Sequence, residues 1–486
     1  MAKLLFIQLN EYELHGLESL SATLKSQGHK VELLVPYFEK KPLARIKEFS
    51  PDLIGFPVAS MERAEALSWA WAIKPHFQGL IILGGIDATF FPKLVQEKAV
   101  DIVCRGEGEN ALLGLANALD EKADFCKIKN LWVKRDGEID KNPIGDLIEN
   151  LDELPFPDKE LYFSRYPYFR NYPIKFFIAS RGCPYSCSYC ANKGLRELYP
   201  NPNSYLRFKS PDYLLEEIKQ VVLRYPTRTV GFNDDLFIYD QRWLERFLPL
   251  YRNEIGIPFF CAGRIDLVNK EKAMILKEGG CYSFWYGLES ADEAHREEIL
   301  NRKMSNEEIE VGVELLHQYG IKSQSYNILN YPGEGLKEGL ATLDFNRKIK
   351  NDFVVSSLFQ PFPGTELTKK LKEEERLGDK NNIAKIESLS YFAFSPFRQK
   401  DSKKLEHLHK LFILGFHSKL VRKLLPILVR LPKNPLFDIL FLISFGLDYG
   451  RVHRLNWWEI IKYNAIHIRT TYLRRKVKVP KRQVIG

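Results

Sequence analysis

Hydrophobic and polar positions alternate in blocks along the first 120 residues. Short apolar runs, each about the length of a buried strand, occur at residues 3–9, 31–35, 52–57, 80–83 and 102–104. Between several of these runs, apolar residues lie three or four positions apart, which is the spacing of an amphipathic helix. Alternating strands and helices predict a doubly wound (Rossmann-like) α/β domain with a parallel sheet, whose ligand-binding loops lie at the carboxyl ends of the strands.

A second series of the same kind extends from residue 174 to residue 361. Six apolar segments in it have the length of strands, and stretches of helical periodicity separate them. The predicted strands are residues 175–180, 229–233, 259–264, 283–288, 322–329 and 353–359. Six strands joined by five crossovers predict a partial (β/α)6 barrel.

The remaining segments set the domain boundaries. Residues 151–158 are rich in proline and typical of a linker, and the chain beyond residue 400 is helical, apolar and basic in pattern. We therefore predict a first domain over residues 1–125, a linker over residues 126–172, the partial barrel over residues 173–375 and a basic helical C-terminal region over residues 376–486.

Composition narrows the class of protein. Of the 486 residues, 45% are apolar and 27% are charged, which is an ordinary globular balance and excludes a disordered, collagen-like or disulfide-scaffold protein. The chain has no run of 18 uncharged apolar residues that would predict a membrane-spanning helix, and its first apolar run is too short for a signal peptide. We expect a cytoplasmic location.

The formal charge of +9 is unevenly distributed. Residues 401–486 contain 18 Lys and Arg against 5 Asp and Glu, a net charge of +13, so the rest of the chain has a net charge of −4. A basic segment of this kind predicts an acidic partner surface. No nucleic-acid-binding module is visible, so we do not expect nucleic acid to be that partner.

The basic region combines short apolar stretches, paired tryptophans and a terminal basic cluster. These features are residues 411–414, 424–431 and 436–447, Trp457-Trp458, and Arg474-Arg475-Lys476. Each apolar stretch is too short to span a bilayer. One interpretation is peripheral contact with the inner membrane surface, which would suit a lipid substrate. The other is a helical cap packed on the barrel, with a solvated basic face.

Three of the seven cysteines lie within eight positions, just after the first predicted barrel strand. Cys183, Cys187 and Cys190 have the spacing Cys-x3-Cys-x2-Cys, which indicates metal ligands rather than disulfides. Thiolates suit an iron–sulfur cluster or zinc, and a structural zinc site requires a fourth protein ligand. Three thiolates on a four-iron cluster would leave one iron open to a small molecule. The other cysteines are isolated among apolar residues, at Cys104, Cys126, Cys261 and Cys281.

A three-cysteine loop that opens a (β/α) barrel resembles the radical S-adenosylmethionine superfamily. Tyr189 matches the aromatic position before the third cysteine of that motif. The likeness extends over roughly residues 1–375, because the N-terminal part resembles the cobalamin-binding domain that precedes the radical domain in one large subfamily. The matching segments are Gly16-Leu17, Leu83-Gly84-Gly85, Gly106-Glu107-Gly108-Glu109, residues 151–158, residues 232–237, Gly287-Leu288-Glu289-Ser290, Tyr331-Pro332-Gly333-Glu334 and residues 361–365.

This resemblance implies roles for individual residues. Cys183, Cys187 and Cys190 would bind a [4Fe–4S] cluster. The S-adenosylmethionine site would comprise Tyr189, Asp234 and Asp235 toward the methionyl ammonium group, Arg264 toward its carboxylate, and Glu289 toward a ribose hydroxyl. The cobalamin site would comprise Gly84, Gly85, Gly106, Glu107 and Gly108. The alternative for each charged residue is a salt bridge at the barrel rim.

The chain departs from the pattern of other cobalamin proteins at the lower face of the cofactor. The Asp-x-His-x-x-Gly motif is absent, and His15-Gly16 does not fit it. We therefore expect cobalt to lack a histidine ligand. Asp87 stands where relatives often have histidine, so the resemblance does not define the contact made there.

The resemblance implies a cobalamin-dependent radical S-adenosylmethionine enzyme. We expect a methyltransferase that acts on an unactivated carbon through a 5′-deoxyadenosyl radical, with a small-molecule or lipid substrate and an electron donor such as flavodoxin or ferredoxin. An alternative is a radical cyclase or rearrangement enzyme with the same cofactors. An alternative of a different class is a non-catalytic, zinc-stabilised binding protein.

Overall fold

The computed structural model describes residues 1–377, 392 and 394–471. Its strands form a seven-stranded sheet, a six-stranded sheet and a two-stranded pair. The strands are β1 (Lys3–Ile7), β2 (Lys30–Leu34), β3 (Leu53–Pro57), β4 (Leu80–Gly84), β5 (Ile102–Cys104), β6 (Leu131–Arg135), β7 (Glu138–Lys141), β8 (Ile174–Phe177), β9 (Ser180–Arg181), β10 (Arg207–Phe208), β11 (Thr229–Phe232), β12 (Phe259–Gly263), β13 (Cys281–Glu289), β14 (Lys322–Leu329) and β15 (Phe353–Leu358).

The helices connect these strands and form the C-terminal region. The α-helices are His15–Ser26, Pro42–Phe49, Arg63–Ile73, Ile86–Phe90, Glu109–Glu121, Glu160–Phe163, Pro167–Arg170, Ala191–Arg196, Pro211–Val222, Gln241–Glu254, Lys270–Gly279, Glu293–Glu298, Asn306–Gln318, Leu336–Lys348, Glu366–Glu373, Ser402–His417, Lys419–Leu428, Pro435–Val452 and Trp457–Thr471. None of the described helices is both long enough and apolar enough to cross a membrane.

The N-terminal sheet has the doubly wound topology that the sequence predicts. Its strand order is β2-β1-β3-β4-β5-β6-β7, and β1 to β5 are parallel. These strands are apolar on both faces, because helices cover both sides of a parallel sheet. The carboxyl ends of β1, β3, β4 and β5 therefore meet at one edge, where the glycine-containing loops follow.

The segment predicted as a linker contains two more strands of this sheet. Strand β6 pairs antiparallel with β5, and β7 pairs antiparallel with β6. The hairpin turns at Asp136 and Gly137, whose φ angles of 52° and 84° suit a tight two-residue turn. Leu131 and Val133 alternate with more exposed residues and are buried in the core, so the sheet continues beyond residue 125.

The six predicted barrel strands are all present. Their order is β15-β14-β13-β12-β11-β8, and every neighbouring pair is parallel. The two-stranded pair of β9 and β10 lies beyond the carboxyl end of β8 and holds the start of the cysteine loop. The sheet is open between β8 and β15, as a partial barrel requires.

The C-terminal region begins as a cap on the barrel. Helix Ser402–His417 packs against β15 and helix Leu336–Lys348. Leu405, Leu408 and Phe412 are fully buried in this contact. The last helix is tied to the barrel by a bidentate ion pair, in which both terminal nitrogens of Arg228 lie 2.8 Å from the carboxylate of Glu459. Helix Ser402–His417 is therefore a cap on the barrel, as the second interpretation of the C-terminal region predicts.

Candidate active site

A cavity of about 610 Å³ lies between the N-terminal sheet and the barrel. On one side it is lined by the loops that follow β1, β4 and β5, including Gly16, Gly84 and Gly106. On the other side it is lined by the start of the cysteine loop, including Arg181 and Gly182. The carboxyl ends of strands β1, β3 and β4 of the N-terminal sheet meet the end of strand β8 of the barrel here, and open α/β sheets bind ligands at the carboxyl ends of their strands.

Two of the predicted cobalamin-binding glycines hold backbone that other residues would strain. Gly85 has φ of 96°, and a Cβ atom there would lie 2.9 Å from the Val58 carbonyl oxygen. Gly106 has φ of 71°, and a Cβ atom would lie 2.6 Å from the Tyr199 hydroxyl. Gly84 and Gly108 line the same wall, so all four glycines surround one side of the cavity.

Glu107 has a structural role that the sequence does not reveal. Its carboxylate accepts hydrogen bonds from Arg181 at 3.2 Å, from Arg207 at 2.8 and 3.1 Å, and from the Ile148 backbone N–H at 3.1 Å. Burial opposes ionisation, but the two guanidinium groups hold the pKa of Glu107 below its usual range. Glu107 thus joins the N-terminal domain to the barrel at the edge of the cavity.

His15 and Asp87, where the chain departs from other cobalamin proteins, have different surroundings. His15 lines the cavity, and its Nδ1 lies 3.1 Å from a carboxylate oxygen of Glu18. Asp87 is buried and forms an ion pair with Arg63, and it accepts a hydrogen bond from Ser60 at 2.8 Å. The carboxylate of Asp87 is therefore already paired within the protein. That cobalt lacks a histidine ligand stays a prediction.

The cysteine loop lies where the barrel faces the cavity. Gly182, with φ of 92°, begins it, and a Cβ atom there would meet the Tyr205 carbonyl. Cys187 is buried, and Arg302 Nη1 lies 3.8 Å from its sulfur. Cys183 and Cys190 are partly exposed, and Asn192 Nδ2 lies 3.7 Å from the Cys190 sulfur.

The other four cysteines are buried free thiols in the apolar cores. In the part of the chain that the structure describes, no three His, Cys, Asp or Glu side chains are close enough to hold a single metal ion. A four-iron cluster takes each thiolate on a different iron, so its ligands are more widely spaced than those of one ion. The assignment of Cys183, Cys187 and Cys190 as its ligands is therefore a proposal that rests on the motif and its position.

Asp234 and Asp235 have different surroundings, although they are adjacent. Asp234 is buried and accepts hydrogen bonds from the Ala179 N–H at 3.0 Å and from the Ser180 hydroxyl at 2.6 Å. Burial raises its pKa to about 6, although these hydrogen bonds oppose the shift. Asp234 thus fixes the start of the cysteine loop. Asp235 is exposed and accepts a hydrogen bond from Asn192 at 2.9 Å, beside Cys190.

Arg264 is buried and already has partners within the protein. Its guanidinium forms an ion pair with Asp266, with distances of 2.8 to 3.2 Å, and donates to the Lys303 carbonyl at 2.9 Å. It also stacks on Tyr185 in the cysteine loop, 4.1 Å from the ring centroid. The sequence left two possibilities for Arg264, and these contacts match the salt bridge at the barrel rim. A role toward the methionyl carboxylate of S-adenosylmethionine stays a prediction.

Glu289 and Tyr189 meet inside the barrel. The Tyr189 hydroxyl donates to Glu289 Oε1 at 2.9 Å; Glu289 is buried and Tyr189 is partly buried. The second oxygen, Oε2, has no hydrogen-bond partner among the described residues. Burial raises the pKa of Glu289, which the nearby Arg302 opposes. An unpartnered carboxylate oxygen at the end of β13 is what a bound hydroxyl group would satisfy.

Two arginines of the site carry no sequence signal of their own. Arg302 donates to the Gly287 carbonyl at 2.8 Å and approaches the Cys187 sulfur, and it is 7% exposed. Arg181 directly precedes the motif glycine and bridges Glu107 and Glu109 across the cavity. Only the three-dimensional contacts identify them as part of the site.

Two family models match the chain. The model of the radical SAM superfamily matches residues 177–345, and the model of the B12 binding domain matches residues 10–116. The two matches cover the barrel and the N-terminal sheet that enclose the cavity. This chain belongs to the cobalamin-binding radical S-adenosylmethionine enzymes. Its cofactors are a [4Fe–4S] cluster, S-adenosylmethionine and cobalamin, and the alternative of a non-catalytic zinc-stabilised protein is wrong.

The sequence relatives of this radical S-adenosylmethionine enzyme include methyltransferases and a cyclase. An uncharacterized methyltransferase, PH0819, from Pyrococcus horikoshii is 28% identical over 66% of this chain and 70% of its own length. The hopanoid C-3 methylase of Methylococcus capsulatus is 24% identical over 72% and 67%. The anaerobic magnesium-protoporphyrin IX monomethyl ester cyclase of Rubrivivax gelatinosus is 24% identical over 76% and 67%.

Solved structures support the fold of the enzyme. The radical S-adenosylmethionine methyltransferase TsrM from Kitasatospora setae, with cobalamin and a [4Fe–4S] cluster bound, superposes with a TM-score of 0.63 at 17% identity, over 77% of this chain and 78% of TsrM. The cobalamin-dependent S-adenosylmethionine radical enzyme OxsB superposes with a TM-score of 0.68 at 16% identity, over 97% of this chain and 76% of OxsB. At such identities the likeness concerns the fold.

The residues of the enzyme fit the cofactors of the family. Gly84 and Gly16 leave open space where a Cβ atom would otherwise enter the cavity, which suits a flat macrocycle. Three thiols in one loop provide the donor set of an iron–sulfur cluster. The unpartnered oxygen of Glu289 suits a hydroxyl of S-adenosylmethionine.

Proposed function

We propose that this enzyme transfers a methyl group to an unactivated carbon of a small molecule. The observation that carries the proposal is the cavity of about 610 Å³, which the cobalamin-binding loops line on one side and Arg181 and Gly182, at the start of the cysteine loop, line on the other. When bound, the cofactors supply one-electron reductive cleavage of S-adenosylmethionine and a transferable methyl group. A low-potential donor such as flavodoxin or ferredoxin would supply the electron.

The residues of the chain would bind the cofactors, position them and exclude water. Glu289 and Tyr189 would hold S-adenosylmethionine at the carboxyl end of β13, while Cys183, Cys187 and Cys190 would hold the cluster. Glu107 and Arg181 fix the distance between the two cofactor-binding halves, because their ion pair crosses the interface. The cavity wall is mostly apolar, which protects radical chemistry from solvent.

The test uses anaerobically purified enzyme reconstituted with iron, sulfide and cobalamin. Replacing Cys183, Cys187 or Cys190 with alanine should abolish iron binding and the release of 5′-deoxyadenosine and methionine from S-adenosylmethionine. The matched control is Cys261→Ala, because Cys261 is buried in the apolar core of the barrel. Iron binding that survives all three replacements, or is lost in the control, would contradict the cluster assignment.

Methyl transfer and ring formation differ in product mass. With S-adenosylmethionine labelled in its methyl group, a methyltransferase gives a product heavier than its substrate by one labelled CH2 unit. A cyclase or rearrangement enzyme gives a product that has no added carbon and no label. The enzyme is incubated with extracts of the source cells, and the products are analysed by mass spectrometry. The mass of the product then distinguishes the proposed function from the cyclase alternative.

We further propose peripheral contact with an anionic membrane through the last three helices. Each of them exposes apolar side chains at helical spacing. The exposed residues are Leu420, Leu424 and Ile427 of the first helix, Leu431 beyond its end, Leu436, Ile439 and Ile443 of the second, and Trp457, Trp458 and Ile461 of the third. We call these ten residues the apolar surface.

The surroundings of the apolar surface favour a lipid headgroup layer over a protein partner. The region from residue 401 onward has a net charge of +13, and basic residues lie near the exposed apolar ones of the first and third of these helices. Tryptophans beside basic residues are typical of interfacial helices, and each Lys or Arg near an anionic surface contributes about 1 kcal/mol. Co-sedimentation with vesicles that contain phosphatidylserine, compared with phosphatidylcholine alone, tests this proposal. Equal sedimentation with both would contradict it.

A further inference from the structure

A second cavity, of about 300 Å³, lies in the lumen of the partial barrel. Its walls include Trp285 on β13, Tyr326 on β14 and Val355 on β15. Its floor is formed by helix Pro435–Val452 and the residues after it, which close the barrel from below. The C-terminal region thus contributes directly to an internal cavity as well as to the apolar surface.

The cavity is lined by aromatic rings. Trp285 stacks on Phe260, with ring centroids 4.1 Å apart, and Tyr172 and Phe445 add further rings to the wall. Tyr12, from the loop before helix His15–Ser26, also lines it and is 54% exposed. The next residues of that loop, Glu13 and Leu14, line the cavity of about 610 Å³, so this loop contributes to both cavities.

The charges around the cavity exclude an ionic ligand. Among the described residues that line it, there is no Lys or Arg. Asp448 is the acidic one, and it is already paired with His417, whose Nε2 lies 2.7 Å away. A charged ligand would therefore be buried without a partner, which is strongly unfavourable.

His453 provides a polar group on the floor, and the side-chain amides of Gln324 and Asn464 also belong to the lining. Its ring lines the cavity and lies 4.1 Å from the Tyr449 ring and 5.4 Å from the Trp285 ring, measured between centroids. It is 5% exposed, and its Nδ1 has no hydrogen-bond partner among the described residues. Burial lowers its pKa to about 3, so the imidazole is neutral at physiological pH. A neutral imidazole can donate or accept one hydrogen bond.

We propose that this cavity binds the substrate, and that the substrate is an elongated, uncharged, ring-containing apolar molecule whose single polar group meets His453. The proposal rests on the proposed function, since it identifies the substrate class of the same enzyme. The ring-lined wall suits planar or alicyclic rings, and the neutral floor suits a hydroxyl or carbonyl group.

The expected length of the substrate follows from strand β13, which carries Trp285 of this cavity and Glu289 of the predicted S-adenosylmethionine site. Trp285 and Glu289 are four residues apart on β13, which corresponds to about 13 Å along a strand. A substrate that is held at His453 beside Trp285 and that reacts beside Glu289 would span a distance of that order. A single small ring does not reach both ends, whereas a fused-ring or isoprenoid skeleton does.

The test measures binding without turnover, on the full chain loaded with its cofactors. The probe is para-hydroxystilbene, an elongated neutral molecule with one hydroxyl, compared with unsubstituted stilbene and stilbene para-carboxylate. We expect para-hydroxystilbene to bind about three- to tenfold more tightly than stilbene because of one added hydrogen bond. We expect the carboxylate to bind at least about tenfold more weakly than para-hydroxystilbene.

Two variants locate the binding. His453→Phe should remove the preference for the hydroxyl while stilbene still binds, and Val355→Trp should abolish binding by filling the cavity. The matched controls are His407→Phe, at a buried histidine outside both cavities, and Val311→Trp, at an exposed valine of helix Asn306–Gln318. Both should bind all three probes as the unmodified enzyme does.

Three results would overturn the proposal: absence of para-hydroxystilbene binding, a hydroxyl preference that persists in His453→Phe, or binding that persists in Val355→Trp. None of these results depends on catalysis. If the probe binds as expected but no methyl transfer is found, the proposed function fails and the cavity assignment stands.

Discussion

At Glu289 the backbone and the side chain are both unusual. The residue has φ of 68°, in the left-handed region that residues other than glycine rarely adopt. Its Oε2 is buried without a partner among the described residues. Strain and an unsatisfied buried oxygen each cost about 1–3 kcal/mol, and such costs are concentrated at functional sites. We infer that a bound ligand donates the hydrogen bond that Glu289 Oε2 lacks.

Replacing Glu289 with glutamine should therefore weaken S-adenosylmethionine binding by about tenfold or more, since a hydrogen bond to a charged group contributes about 1.5–3 kcal/mol. Isothermal titration of the anaerobic, reconstituted enzyme measures the change. The matched control is Glu298→Gln, on the exposed face of helix Glu293–Glu298. If both variants bind S-adenosylmethionine as the unmodified enzyme does, Glu289 has no role in that site.

Sequence patterns identify residues of the site better than they identify their contacts. The cysteine spacing and the adjacent strand are local features, so the position of the loop could be predicted. Asp234 instead holds backbone N–H groups of the loop, and Glu107 pairs with Arg181 and Arg207. These partners are distant in sequence, and only the folded chain brings them together.

Among the elements, the parallel strands could be predicted because each is a short apolar run between helices. All six barrel strands lie within a few residues of their predicted positions. Strands β6 and β7 could not be recognised by that pattern, because β7 is at the edge of the sheet and mostly polar. The Asp136-Gly137 dipeptide between them is the hairpin signal that would have located them.

The segment between the two domains is held by one buried lysine. Lys159, just before helix Glu160–Phe163, lies 2.8 Å from Glu18, 3.1 Å from Glu13 and 2.9 Å from the Phe176 carbonyl. Burial favours the neutral carboxyl, but Lys159 outweighs it at Glu18 and lowers the pKa of that group to about 2. Burial raises the pKa of Glu13, so Glu13 is the first to be protonated as the pH falls.

Lys159→Met should lower the free energy of unfolding by about 3–5 kcal/mol at neutral pH, because it leaves a buried carboxylate unpaired. The pKa of Glu18 is near 4.5 in the unfolded chain and about 2 in the folded protein, so the ionised Glu18 stabilises the fold at pH values above 4.5. This stabilisation is lost as the pH falls from 4.5 toward 2. The difference between the unmodified enzyme and the variant should therefore shrink over this range. Denaturant unfolding at several pH values measures it, with exposed Lys98→Met as control. A difference that does not depend on pH would contradict the ion-pair explanation.

At the scale of the whole molecule, the two cofactor-binding halves share one hydrophobic core, and ion pairs of Glu107 and Glu109 with Arg181 and Arg207 join them at the edge of the cavity. Glu107→Gln should destabilise the enzyme by about 1–3 kcal/mol, since it removes the carboxylate that pairs with Arg207 and leaves Arg181 with Glu109 alone. It should also lower cobalamin affinity, because the loop that carries Gly106 and Gly108 loses its anchor. Thermal unfolding and cobalamin titration measure the two effects, with exposed Glu121→Gln as control. Unchanged values in both measurements would mean that the interface is held by other contacts.

The apolar surface and the basic charge of the C-terminal region contribute to membrane binding through different forces, which salt separates. Screening at high ionic strength removes most of the electrostatic attraction and leaves the burial of apolar side chains nearly unchanged. Leu424→Gln with Ile427→Gln should therefore weaken binding to phosphatidylserine vesicles at both low and high salt. Neutralising Arg474, Arg475 and Lys476, which lie outside the described residues, should weaken it mainly at low salt.

The control for the apolar variant is Leu223→Gln, at a leucine of the barrel that is 84% exposed and distant in sequence from the last helices. It removes a similar apolar side chain without altering the apolar surface, so it should sediment with vesicles as the unmodified enzyme does. Equal weakening by Leu223→Gln would show that general hydrophobicity, rather than this surface, drives the contact. A membrane contact at the apolar surface would also place the lipid phase next to helix Pro435–Val452, whose other residues form the floor of the barrel cavity. An uncharged apolar substrate could then pass from the bilayer to the enzyme without crossing water, and its apparent KM should fall when anionic vesicles are added.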